Sequence, residues 1–220
     1  IARRAGRQPI AQIIGRREFF GLSFKVTPDV LDPRPDSETL IEAVLRRHKD
    51  RRAPLRILDL GTGSGCLLLS LLYEFPNASG IGIDLSKEAL GVAQENALGL
   101  GLPHRAQFLA SHWCMQVTGE FDVIVSNPPY ISTGDIAGLA PEVVQHEPHL
   151  ALDGGADGLN CYRAVVASLK GHLAENGMAA VELGMGQQPA VAALAVASGL
   201  KVAGVAQDMQ GTQRCMILTH

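Results

Sequence analysis

The chain is poor in the residues that would place it outside the reducing cell interior or on a membrane. Its four cysteines, Cys66, Cys114, Cys161 and Cys215, lie far apart with no C-x-x-C pair. That spacing excludes a disulfide framework and a zinc knuckle, and free thiols in a cytoplasmic protein are expected. No run of about 18 apolar residues occurs, so no membrane-spanning helix is expected. Arg3, Arg4 and Arg7 are not followed by an apolar stretch, so no signal peptide is expected either. Excess positive charge is also lacking: 19 Lys and Arg face 22 Asp and Glu, a net −3. A broad nucleic-acid footprint is therefore not expected. His146 and His149 are separated by Pro148 and have no third ligand nearby in sequence, so no metal is expected. The first residue is Ile1, not Met, and a missing N-terminal piece is expected.

What is present is core-forming material, 46% hydrophobic over 220 residues, enough for one large domain or one domain with a small appendage. "EFFGLSFKVT" alternates around Gly21 and predicts a β-hairpin. "DPRPDSETLIEAVLRRH" predicts a helix with Pro35 in its first turn. Asp36, Ser37 and Glu38 supply acids or a cap there, and Leu40, Ile41, Val44 and Leu45 form an apolar stripe. "DRRAP" reads as a linker and sets the expected boundary. Residues 1–50 form a hairpin and linker helix left from a larger N-terminal region, and residues 51–220 form a catalytic domain. From Leu55 onward short apolar runs alternate with helix-length segments, which predicts an α/β fold with a mostly parallel sheet covered on both faces. The last two runs, "LKVAGVAQ" and "RCMILTH", are joined only by "DMQGTQ". That is too short for a parallel crossover, so seven strands with a terminal antiparallel hairpin are expected.

Two motifs fall where an open α/β sheet binds ligands, beyond the carboxyl ends of its strands. The first is "LDLGTGSG", which places Asp59, Gly61, Thr62, Gly63, Ser64 and Gly65 between the first strand and first helix of the alternating region. It is neither G-x-G-x-x-G, since Cys66 stands at the sixth position, nor a P-loop, since no G-K-[ST] follows. Nothing therefore points to a pyrophosphate. Asp84 ends the next strand, where a carboxylate can accept hydrogen bonds from two ribose hydroxyls. A ribose without a diphosphate fits S-adenosylmethionine, which would leave as S-adenosylhomocysteine.

The second motif is "SNPPY". Asn127 closes the fourth strand, and Pro128 and Pro129 stiffen the turn that follows. The Asn127 side-chain carbonyl and a proline carbonyl are two convergent acceptors for a planar NH2 group, and Tyr130 offers a ring to pack against it. An amide nitrogen or an adenine amine is a poor nucleophile because its lone pair is delocalised. Holding both hydrogens aims the nitrogen at an activated methyl and stabilises the positive charge that develops there.

With "IIGRREFFGLSFKVTPDVLDPRPDSETLIE", "FDVIVSNPPYI", "EPHLALDGGADGLNCYR" and "QGTQRCMIL", these motifs resemble the HemK/PrmC family of release-factor glutamine N5-methyltransferases over nearly the whole chain. The resemblance implies a class I S-adenosylmethionine methyltransferase fold and transfer to the glutamine of the Gly-Gly-Gln loop in class 1 peptide chain release factors. It implies that Gly61–Gly65 and Asp84 hold the cofactor, that Trp113 lines the adenine pocket, and that Asn127, Pro128, Pro129 and Tyr130 receive the glutamine. Asn127, Pro128 and Tyr130 would be catalytic. Glu147 and Pro148 match a family segment that follows the active-site loop. Asp32 and His112 depart from the family pattern, with apolar and acidic residues usual there. Two other functions stay open on the residues alone: an N6-adenine methyltransferase acting on DNA or RNA, and a non-catalytic cofactor-binding scaffold.

Overall fold

A computed structural model describes residues 2–220 of the chain. Two short helices, α1 (Ala2–Ala5) and α2 (Ile10–Ile14), lead into the hairpin β1 (Arg16–Phe19) and β2 (Leu22–Lys25). Phe20 and Gly21 form its turn with φ of 50° and 72°, the two left-handed residues that match a turn to the twist of the flanking strands. A 3₁₀ turn over Pro35–Ser37 feeds helix α3 (Glu38–Arg47). Ser37 already has helical backbone angles and makes no cap bond. The acids of this turn are committed elsewhere: Glu38 Oε1 accepts from the Phe20 amide at 2.9 Å, and Asp36 pairs with Arg214 at 3.1 Å.

The alternating region then runs β3 (Arg56–Leu60), α4 (Cys66–Glu74), β4 (Ser79–Asp84), α5 (Lys87–Gly99), β5 (Ala106–Ala110) and β6 (Phe121–Ser126). It continues with α6 (Pro141–His146), α7 (Asn160–Leu169), β7 (Leu173–Glu182), α8 (Gln188–Ala197), β8 (Lys201–Gln207) and β9 (Gln213–Thr219). Ser86 caps α5, its hydroxyl accepting from the Ala89 amide at 3.0 Å. The seven strands lie in the order β5-β4-β3-β6-β7-β9-β8. All neighbours are parallel except β9, which runs antiparallel to both β7 and β8. The expected fold class is thus observed.

Period-two alternation sends neighbouring residues to opposite faces. Ile57, Val123 and Met178 meet α3 and α4 on one side, and Leu58, Ile124 and Ala179 meet α7 and α8 on the other. Phe19 and Phe24 of the hairpin, with Leu40, Ile41 and Val44 of α3, belong to the first of these cores. The succession of strands runs from β3 out to β5 on one side and resumes at β6 on the other, and this switch in order opens a crevice at the ends of the parallel strands. The hairpin reaches this crevice through Asn96 of α5. That buried amide accepts from Lys25 N at 2.6 Å and donates to the Lys25 carbonyl at 3.2 Å and to the Ser64 carbonyl at 2.8 Å. Asn96→Ala leaves these groups unpaired and is expected to lower stability by about 1–3 kcal/mol, measured as a shift in the urea midpoint.

Candidate functional site at the switch point

Beyond the ends of β3, β4 and β6 lies a crevice of about 420 Å³, within the usual range for small-ligand sites. Its floor is the glycine loop. Gly61 N and Thr62 N both donate to the Ile83 carbonyl, at 2.9 and 2.8 Å, tying the loop to the end of β4. Gly61, Gly63 and Gly65 have positive φ. A Cβ at Gly61 or Gly63 would meet no protein atom within 4 Å, whereas one at Gly65 would press on Leu69 and Ala93. The first two glycines keep the crevice open for a ligand, and the third lets α4 pack against α5.

Asp84 stands at the crevice wall with both oxygens oriented: Oδ2 accepts from Gly63 N and Oδ1 from Ser86 N, each at 2.9 Å. Each oxygen retains lone-pair capacity for a ligand hydroxyl. Trp113 also lines the crevice, in a left-handed conformation with φ of 50°. That backbone is costly for a bulky side chain, and Ser111 holds it by donating to the Trp113 carbonyl at 2.7 Å and accepting from Gln116 N at 3.2 Å.

The crevice brings together Gly61, Thr62, Gly63, Ser64, Asp84, Trp113, Asn127 and Pro129, but not every residue singled out by sequence. Gly65 sits under the loop. Asp59 is fully buried beneath it, with Oδ2 accepting from the Thr62 hydroxyl at 2.7 Å and Oδ1 without a partner. It supports the loop and does not line the crevice. Pro128 is buried in the corner. Tyr130 stands behind it, its ring edge against Gly184 and its hydroxyl 3.3 Å from Glu182. Burial and the Glu182 carboxylate push the Tyr130 phenol up, so it stays protonated. Burial also pushes the Cys66 thiol up to about 12, which rules out a thiolate nucleophile. His146 is engaged with the Gly6 carbonyl at 3.0 Å.

Sequence reasoning missed one whole wall. Residues 28–31, Pro33 and Arg34, from the segment between the hairpin and α3, line the crevice together with the glycine loop. Val26 and Val30 anchor that segment on Ala89 and Val92 of α5. Arg34 lies on this wall and reaches the buried Glu147 at 2.6 Å and Asp32 at 4.0 Å. Burial raises both carboxylates while Arg34 opposes the rise. Ser37 was missed as a site residue too. Its hydroxyl donates to Glu182 Oε2 at 2.5 Å and accepts from Asn127 Nδ2 at 3.2 Å. The Asn127 Oδ1 atom is thereby left facing the crevice with no donor among the described residues, and the Pro128 carbonyl is likewise unused.

A glycine-floored crevice with an oriented strand-end carboxylate, on a seven-stranded sheet whose penultimate position is antiparallel, defines a class I S-adenosylmethionine-dependent methyltransferase. The model of the Methyltransferase small domain family matches residues 34–156. The release factor glutamine methyltransferase of Rhodospirillum rubrum is 49% identical over 217 residues, covering 99% of this chain and 66% of that protein. That of Cereibacter sphaeroides is 48% identical over 215 residues, covering 97% of this chain and 75% of that one. The solved protein-(glutamine-N5) methyltransferase of Alicyclobacillus acidocaldarius, described as release factor-specific, is 29% identical with a TM-score of 0.52, covering 89% of this chain and 98% of that one. This chain belongs to the release factor glutamine methyltransferase family, and it spans about two thirds of the length of the first of these relatives.

Two outcomes follow from the site's electrostatics. Asp84→Ala is expected to weaken S-adenosylmethionine binding at least about tenfold, the loss of two hydrogen bonds to a charged acceptor; calorimetry showing unchanged affinity would remove Asp84 from the site. Burial pushes Asp59 up to about 7 from 3.8. The folded state therefore holds a proton that the unfolded chain releases, and the cost of keeping Asp59 buried grows as pH rises from the unfolded value to about 7, then levels off. The stability of Asp59→Asn relative to the parent is expected to improve between about pH 5 and about pH 8. Thermal unfolding at both pH values measures it.

Proposed function

We propose that the chain transfers a methyl group from S-adenosylmethionine to the side-chain amide nitrogen of the glutamine in the Gly-Gly-Gln loop of class 1 peptide chain release factors, acting in the cytoplasm. The observation that carries this reading is Asn127 on the wall of a glycine-floored crevice, its Oδ1 without a donor among the described residues and the carbonyl of the adjoining Pro128 also unused. Two acceptors held by a stiff corner match the two hydrogens of a primary amide. When bound, the cofactor supplies an electrophilic methyl on its sulfonium.

Asp84 would hold the ribose hydroxyls, the glycine loop would admit the remainder of the cofactor without side-chain obstruction, and Trp113 would contact the base. Asn127 Oδ1 and the Pro128 carbonyl accept the two N–H bonds of the glutamine, orient its nitrogen, and stabilise the charge that grows on it. Alignment of this kind lowers a barrier by roughly 7–11 kcal/mol. Tyr130 holds the corner from behind. The family relatives are named for release factor glutamine, which favours an amide over an adenine amine as the group held here.

Mass spectrometry of a release factor incubated with this chain and S-adenosylmethionine is expected to show one added methyl on the Gly-Gly-Gln glutamine. A methyl found instead on adenine of DNA or RNA, or on nothing, would overturn the assignment. Asn127→Ala is expected to lower kcat by about 10²–10³, the effect of losing one acceptor aimed at developing charge, with cofactor affinity kept within a few-fold. Affinity falling in step with activity would contradict the role given to Asn127.

A further inference from the structure

Glu182 ends β7 and is only 1% exposed. A buried carboxylate is costly unless a cation or several donors satisfy it. No Lys or Arg pairs with it among the described residues. The nearby Arg214 guanidinium is committed to Asp36 at 3.1 Å and Asp208 at 3.3 Å. Glu182 is held instead by two neutral hydroxyls, Ser37 at 2.5 Å on Oε2 and Tyr130 at 3.3 Å on Oε1. Stability alone does not account for a charge placed there, since an apolar residue would pack the same strand end at lower cost.

The geometry points to an orienting role that rests on the proposed glutamine reading. We propose that Glu182 is a positioning residue: through Ser37 it fixes which end of the Asn127 amide faces the crevice, so that the site accepts an NH2 group only while Glu182 is ionised. The hydroxyl of Ser37 has one proton. With Glu182 ionised, that proton goes to Oε2, and the Ser37 lone pairs then accept from Asn127 Nδ2 at 3.2 Å. Oδ1 is turned to the crevice as an acceptor.

When Glu182 takes up a proton, its own O–H needs an acceptor, and Ser37 is the nearer of its two partners. The Ser37 proton is then directed at Asn127, where only Oδ1 can accept it. The amide turns over and presents Nδ2 to the crevice, donor against the donors of an incoming amide. One proton enters, the Glu182–Ser37 and Ser37–Asn127 hydrogen bonds reverse, and the Tyr130 bond to Glu182 Oε1 keeps its direction.

The groups around Glu182 leave it as the one that changes charge near neutrality. Burial pushes it up to about 7, against the opposing effects of Ser37, Arg214 and Tyr130, while Asp36 on the turn before α3 adds to the rise. Cys215, opposite on β9, and Cys66 on α4 are pushed up to about 12. Tyr130 in the corner and Tyr162 on α7 are pushed up and stay protonated. Transfer is therefore expected to be full above about 7 and to fall below it.

The test follows the Asn127 side-chain amide by nitrogen-15 NMR in the full chain, without substrate, from about pH 5.5 to about pH 8.5. The signal is assigned by its loss in Asn127→Asp. One titration with a midpoint near 7 is expected. It should vanish in Glu182→Gln and Ser37→Ala, return in Ser37→Thr, and persist in Asp59→Asn. An Asn127 signal that stays flat in the parent, or titrates unchanged in Ser37→Ala, overturns the proposal. If Ser37→Ala does not fold, the parent titration and Ser37→Thr decide.

In kinetics with a release factor, kcat/KM is expected to drop about tenfold from about pH 8 to about pH 6, following the ionised fraction of Glu182, while cofactor affinity stays within about twofold. Glu182→Gln should show a lowered rate without that acid limb; an acid limb retained in Glu182→Gln counts against the proposal. A chain that methylates no release factor at any pH defeats the substrate reading, and the NMR titration still decides the orientation.

Discussion

A primary amide turned by half a revolution exchanges an acceptor for a donor, and at Asn127 a hydroxyl 3.2 Å away makes the choice. Everything the crevice can do to an NH2 group depends on that choice. The Ser37 hydroxyl is itself fixed because its proton is held by Glu182 at 2.5 Å. The chain of three side chains thus joins the turn before α3 to the ends of β6 and β7, strands that neighbour each other in the sheet though far from that turn in sequence. Pro128 stiffens the backbone on the other side, so both acceptors are set before any substrate arrives. Preorganisation of this kind avoids reorganisation at the moment of reaction.

The same logic explains why carboxylates are sunk into the protein around a site whose crevice wall carries another, Asp84. Asp59 under the glycine loop and Glu182 behind the corner are both pushed up to about 7 by burial. Each is costly to the folded state. Each also fixes a group that lines the crevice: Thr62 in one case, Ser37 and through it Asn127 in the other. The hairpin and its following segment are equally bound to the site. The segment forms one wall of the crevice, and Asn96 ties the hairpin to the backbone of the glycine loop.

Much of this was legible in the sequence, and the reasons for the remainder are physical. The alternating region, the terminal antiparallel strand, the glycine floor and the Asn127 corner follow from local patterns, because a turn that needs positive φ or a stiff exit recruits glycine or proline whatever surrounds it. Asp84 was legible because a strand-end acid after such a loop has few other uses. Ser37 was read as a cap or dipole group because a serine beside a helix start looks the same whether it caps that helix or bonds to a strand 145 residues away. Glu182 was hidden inside an apolar run that reads simply as a buried strand. The stretch before α3 carries the family resemblance but no local sign that it lines the crevice, since that role comes from where Val26 and Val30 pack on α5. Tyr130, expected in the pocket, faces Gly184 and Glu182 instead, an orientation set by the two prolines before it and by the packing behind the corner.

Oxygen and nitrogen of an amide are hard to tell apart by X-ray density but not by neutron scattering. A neutron structure of the deuterium-exchanged chain with S-adenosylhomocysteine, at a pH above 8, locates the Asn127 deuterons directly. Both are expected on the atom bonded to Ser37 and none on the atom facing the crevice. A deuterated nitrogen turned into the crevice under those conditions would contradict that orientation.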